Sequence, residues 1–211
     1  MRNDLTDITL VVDRSGSMQA CRDDAEGGIN AFIQEQARAP GEVLLTLVEF
    51  SDTWRFLFTG KPIKEVEAYR FRPSGVTALH DALCVAINKT GERLSVMPES
   101  ERPACVVFVV VTDGQENAST EYTLVDVRTM IEQQQSRYSW KFTFLGVGPE
   151  AFTDGQQMGF SRDAIASYDP KNTGVAYRAA SHSVLSCRSA ALAGKDVPIG
   201  YGKEQREAMV A

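Results

Sequence analysis

The chain alternates between short apolar runs rich in β-branched residues and longer stretches where apolar residues return every three or four positions. Runs at 8–13, 43–50, 104–112 and 142–147 read as strands, the first and third so uniformly apolar that both faces must be covered. A shorter strand is expected at 164–168. Met18, Cys21, Ala25, Ile29, Phe32 and Ile33 make one stripe and predict a helix over 18–37, which Pro40-Gly41 ends. Asp23, Asp24 and Glu26 fall in its early turns, where the helix dipole favours negative charge. Leu79, Ala82, Leu83, Ala86, Ile87, Thr90 and Leu94 predict a second amphipathic helix. Further helices are expected over 121–135, 152–158 and 172–188. The run 53–58 follows 43–50 after a tight Ser51-Asp52 turn, so the two form a hairpin whose second member is an antiparallel edge strand.

Such alternation specifies an α/β fold. Right-handed crossovers place helices on both faces of the sheet. The expectation is a three-layer doubly wound, Rossmann-like, mostly parallel sheet with one antiparallel edge strand. One domain should occupy residues 1–188. Residues 189–211 lose the periodicity, with Gly194, Pro198, Gly200 and Gly202 before a charged run, and are expected to form a mobile or loosely docked tail, or an arm to a second subunit.

Composition narrows the function. With 211 residues, 43% hydrophobic and 24% charged, the chain can bury one full α/β core. No run approaches the roughly 18 apolar residues of a membrane span. Met1-Arg2-Asn3-Asp4 leads straight into the first strand, so a secretory leader is not expected and a cytoplasmic location is. A net charge of −6 argues against nucleic acid as a partner, because phosphate contacts need basic patches. Cys21, Cys84, Cys105 and Cys187 show no paired spacing and read as reduced, buried small hydrophobes.

The chemistry concentrates at strand ends. The first apolar run stops in Asp13-Arg14-Ser15-Gly16-Ser17, so one carboxylate and two hydroxyls alternate where open α/β sheets place their ligands. Ser74-Gly75-Val76-Thr77 precedes the second helix, and the run 106–111 ends in Thr112-Asp113-Gly114. Hard oxygen donors in this number suit Mg²⁺, with Mn²⁺ or Ca²⁺ as alternatives. Read without the other two segments, Ser15 and Ser17 could simply cap the following helix.

Taken in order, the three segments resemble the von Willebrand factor A domain and its metal-ion-dependent adhesion site. The resemblance spans roughly residues 4–188 and implies that Asp13, Ser15, Ser17, Thr77 and Asp113 are the metal-site residues. It also implies the family's strand order, with the first strand central and the hairpin at one edge. Three neutral hydroxyls leave the ion short of electrons and able to take a carboxylate from outside. In the resembling domains that carboxylate is a Glu or Asp of another protein. A cytosolic single-domain member of bacterial or phage type is implied, and such members often work beside AAA-type ATPases. Arg14, His80, Gln115 and Glu116 are expected at the rim of the cleft.

An enzyme is not expected. His80 and His182 are the only histidines, and neither belongs to a Gly-x-Ser-x-Gly elbow. Gly146-Val147-Gly148 lacks the rest of a dinucleotide fingerprint and reads as a strand-to-loop turn. Two other readings stay open: a metal-assisted hydrolase on the same cluster, and a structural oligomer in which the metal only stabilises the fold. The sequence does not specify an oligomeric state.

Overall fold

A computed structural model describes all residues, Met1–Ala211. Six strands, β1 (Arg2–Asp13), β2 (Glu42–Phe50), β3 (Trp54–Pro62), β4 (Pro103–Val111), β5 (Lys141–Val147) and β6 (Ile165–Tyr168), form one sheet in the order β3-β2-β1-β4-β5-β6. Every neighbouring pair is parallel except β2 and β3, the hairpin at the edge. Six helices flank it: α1 (Arg22–Arg38), α2 (Leu79–Ser95), α3 (Leu124–Tyr138), α4 (Glu150–Gln157), α5 (Thr173–Leu192) and α6 (Lys203–Val210).

The period-two alternation of strand side chains sorts the apolar residues into two cores. Ile8, Leu10 and Val12 of β1, with Cys105, Val107, Val109 and Val111 of β4, pack against α1, α5 and α6. Val11, Val106, Phe108 and Val110 point the other way, onto α2, α3 and α4. The sheet is thus the middle of three layers. On the first face α1 and α5 approach closely at Gly28, where a β-carbon would lie 2.6 Å from the Tyr177 ring. On the second, Arg93 of α2 donates to the buried Asp7 carboxylate at 2.7 Å.

This topology positions the site. β1 feeds α1 on one face, whereas β4 feeds α3 on the other, so their connections part company between two adjacent strands. A crevice at the carboxyl ends of the strands is the consequence. The strands end level there, with Asp13 beside Phe50 and Val12 beside Val111.

Two local features depart from the sequence pattern. The helix expected from Met18 starts as a tight 3₁₀ turn over Gly16–Cys21 before α1 begins. The Gly16 N–H donates to Gly75 O at 2.9 Å, so the first turn is tied to a neighbouring loop. The loosely docked tail is corrected. α5 continues to Leu192, and Ile199, Tyr201 and Met209 are buried in the first core. Tyr201 Oη lies 2.6 Å from Thr143 Oγ1, and the Asp169 N–H donates to Met209 O at 2.9 Å. These apolar residues are too widely and irregularly spaced to make a stripe, so periodicity misses them.

Candidate metal centre

Asp13 closes β1 and is fully buried. Its Oδ1 accepts the Ser15 N–H at 2.7 Å, and its Oδ2 accepts the Thr112 hydroxyl at 2.5 Å. Ser15 Oγ and Ser17 Oγ are 3.0 Å apart, and Ser17 Oγ donates to Asp113 Oδ1 at 2.7 Å. Thr77 arrives from the third segment. A β-carbon placed on Gly114 would lie 3.3 Å from Thr77 Oγ1, 3.9 Å from Ser17 Oγ and 4.0 Å from Asp13 Oδ2. All five oxygen-bearing side chains singled out in the sequence therefore gather at one point, under a residue that has no side chain. Ser15 stands at the N-cap position of its 3₁₀ turn but makes no capping bond, so capping is not its side chain's role.

The pair of carboxylates has no basic counterpart. Neither Asp13 nor Asp113 forms an ion pair. Burial pushes the Asp13 carboxyl up to about 6, although hydrogen bonds from Thr112 and Ser15 oppose it. Burial also raises Asp113, against a bond from Ser17. A cation between such groups would offset the cost of keeping them ionised. No group of three or more His, Cys, Asp or Glu side chains is assembled anywhere, so any ion here would rely on two carboxylates and neutral hydroxyls. Asp13, Ser15 and Thr77 are buried while Ser17 is exposed, which leaves the cluster open on its outer side.

A dense set of hydrogen bonds fixes the loops that carry these residues. The Ser74 N–H donates to Arg14 O at 2.7 Å. Gly75 has φ +83°, and a β-carbon there would sit 2.2 Å from Asp52 Oδ2, so both conformation and space demand glycine. The Thr77 N–H donates to Asn117 Oδ1 at 3.0 Å, and the Asn117 N–H returns a bond to Thr77 O. Asp81, at the start of α2, accepts the backbone N–H groups of Thr120, Glu121 and Tyr122. The loop after β4 is thereby clamped onto α2, next to Thr77.

Of the expected rim residues, Gln115 is exposed beside Gly114. The other three are engaged. Arg14 turns away from the cluster, with Nη1 donating to Ser74 Oγ at 2.6 Å and Nε 3.8 Å from the buried Glu49. Glu116 accepts the N–H groups of Ala118, Ser119 and His80, and so caps its own loop and α2 together. Its hydrogen bonds outweigh burial and hold its carboxyl below the usual range. His80 packs with Nδ1 4.0 Å from Glu116, and these residues border a cleft of about 270 Å³ that reaches Met158.

Sequence reasoning missed Thr112, Asn117 and Asp81. Thr112 was visible as the first polar residue after the β4 run. The other two bind backbone groups some 40 positions away, which no local pattern records.

A model of the von Willebrand factor type A domain matches residues 7–174. The chain belongs to this family. Solved structures of von Willebrand factor type A proteins share the fold. Proximal thread matrix protein 1 from the mussel byssus superposes with a TM-score of 0.60 at 18% identity, over 86% of this chain and 46% of that one. A form of the same protein with a zinc-occupied MIDAS motif gives 0.54 at 19% identity, covering 83% and 46%. A von Willebrand factor type A protein from Catenulispora acidiphila gives 0.55 at 14%, covering 89% and 42%. The chain thus spans less than half the length of these proteins. A search of curated proteins gives no match. No helix is long and apolar enough to cross a membrane.

Proposed function

We propose that this domain holds a divalent cation, Mg²⁺ in the first instance, through Asp13, Ser15, Ser17, Thr77 and Asp113, and uses it to capture an acidic residue of a partner protein. One observation carries the reading. Five oxygen-bearing side chains from three distant segments meet at the strand ends around one buried and one half-buried carboxylate, Asp13 and Asp113, that form no ion pair. The zinc-occupied motif in the byssus protein supports divalent-metal binding in this fold. Such an ion would supply a positive, oxygen-seeking centre to which an outside carboxylate can add. The chain's own contribution is to hold the donors in place and leave the Ser17 side open. Its hydroxyl donors add no charge beyond the two carboxylates, so the ion is not over-neutralised and can still accept an anion.

The proposed role is binding rather than catalysis. His182 is exposed on α5, and His80 is turned to Glu116. By family resemblance, an AAA-type ATPase assembly is the class of partner proposed. The cytoplasm is proposed as the setting, because four buried free cysteines suit a reducing compartment.

Affinity purification with and without chelator tests the proposal. A specific partner should be retained in Mg²⁺, released by EDTA, and lost in Ser17→Ala and Asp113→Ala. Metal-dependent turnover of phosphoesters or acyl esters that disappears in Asp113→Ala would establish the hydrolase instead. A melting temperature raised by Mg²⁺ without any retained partner would leave the metal a purely structural role.

A further inference from the structure

The edge of the sheet carries a second feature that the metal cluster does not use. Between β3 and the extended segment 66–72 runs a groove of about 460 Å³, into which Arg55, Lys61, Arg70 and Arg72 project against a single acid, Glu67. In a chain with 22 basic and 28 acidic residues, this four-to-one local excess reverses the overall sign. Two of the cations have internal duties. Arg55 pairs with the buried Glu49 at 2.6 Å, and Arg70 lies 3.1 Å from Glu26. Lys61 and Arg72 have no ion pair and donate no side-chain hydrogen bond, so the fold leaves their charge unmatched. Leu57, 39% exposed, and Phe58 give the same groove an apolar wall.

Position links the groove to the metal face. β3 runs antiparallel to β2, so Trp54 lies opposite Phe50 at the top of the sheet and Lys61 opposite Leu45 near the bottom. The groove therefore starts at Arg55, one residue below the level of Asp13, and descends along the outer strand. Its second wall is fixed from behind: Tyr69 exchanges backbone bonds with the Asn30 side chain, and the Phe71 N–H donates to Glu26. Both walls are thus held by contacts within the chain itself. Sheet pairing covers only one side of β3, and no strand lies beyond it.

We propose that this groove binds a short acidic segment of a partner protein, with apolar side chains seated against Leu57 and Phe58 and carboxylates paired to Lys61 and Arg72. A protein segment fits better than a nucleic acid. The basic stretch is short and half apolar, and the rest of the surface is net negative, which repels a continuous phosphate backbone. Because the groove's charges are its own, occupancy does not require the cation at Asp13 and Asp113.

The test uses a fluorescent peptide of repeated Glu-Glu-Leu and the full chain in EDTA, read by anisotropy. Saturable one-to-one binding is expected, weakening as salt rises from about 50 to 300 mM and shortens the screening length. Lys61→Glu and Arg72→Glu should each lower affinity by about fivefold or more, as expected when a steering charge is reversed. Lys89→Glu, the same charge change on the exposed face of α2, should leave it within about twofold. Absence of binding, an equal loss in Lys89→Glu, or tighter binding of an oligonucleotide of matched charge would overturn the proposal. Melting temperatures with and without Mg²⁺, measured on the same variants, separate this result from the fate of the metal reading. Lys61→Glu and Arg72→Glu should keep any Mg²⁺ response that the unaltered chain shows.

Discussion

Asp13 and Asp113 illustrate how a candidate metal site can work against the free fold. Both carboxyls are pushed upward by burial with no basic neighbour, so the metal-free protein carries an uncompensated electrostatic cost. Asp113→Asn should therefore melt no lower than the unaltered chain without metal, since an amide oxygen can still accept the Ser17 hydroxyl. It should also lose the Mg²⁺ response. For the unaltered chain, Mg²⁺ at about 100 times its dissociation constant should add about 2.7 kcal/mol. In a domain of this size that is roughly 5–10 °C of melting temperature. Scanning calorimetry of both proteins, with Mg²⁺ and with EDTA, checks the pair of outcomes. A variant that melts lower without metal and still responds to Mg²⁺ would show that Asp113 is a structural acceptor only. The oxygen-bearing residues themselves were legible in the sequence because Asp13, Ser15, Ser17 and Asp113 follow apolar strand runs and Thr77 stands just before a helical stripe. Thr112 sits in the same kind of place, yet its role depends on reaching across to Asp13, a residue 99 positions earlier.

At the scale of elements, the decisive unit is the loop after β4 clamped onto the start of α2. Glu116 accepts three backbone N–H groups and the Ser119 hydroxyl, a set that favours its ionised form. Its folded pKa lies below its ordinary value of 4.5, so its stabilisation is complete above that value and fades as pH falls through the lower folded one. Glu116→Gln should cost about 1–3 kcal/mol at pH 7, the usual worth of bonds to a charged acceptor. The gap to the unaltered protein should narrow as pH falls below 4.5 and close beneath the lower folded value, where both carry a neutral side chain. Urea unfolding at several pH values measures this. A gap that does not change with pH would mean that the carboxylate's charge is irrelevant to the clamp. The strands and the main helices were readable from period and length, since both faces of a central strand and one stripe of each helix must be apolar. The 3₁₀ start of the first helix was not, because it is dictated by the Gly16–Gly75 bond between two loops.

For the whole molecule, the carboxyl-terminal residues close the first core rather than trailing from it. Tyr201 is buried beside Thr143 and Asp163, and Arg206 donates to the carbonyls of Ile165 and Asp163. Tyr201→Ala should remove about 3–5 kcal/mol through the cavity it leaves, and unfolding should stay a single transition. Calorimetry decides between this and a separately melting tail. A loss under about 0.5 kcal/mol would restore the tail to the surface. The three-layer order with its hairpin edge follows from handed crossovers and short connections, which is why alternation along the chain anticipated it.

Sequence alone determined the strands, the main helices, the layered architecture and which five oxygen-bearing side chains fall at the strand and helix ends of one crevice. All of these depend on local composition and spacing, which the chain carries in linear order. Tertiary structure decided how the donors are held, which rim residues are free, where the last segment packs and how four cations line one groove. Those outcomes rest on contacts between residues tens of positions apart, and their formation depends on the folded geometry rather than on any neighbouring residue.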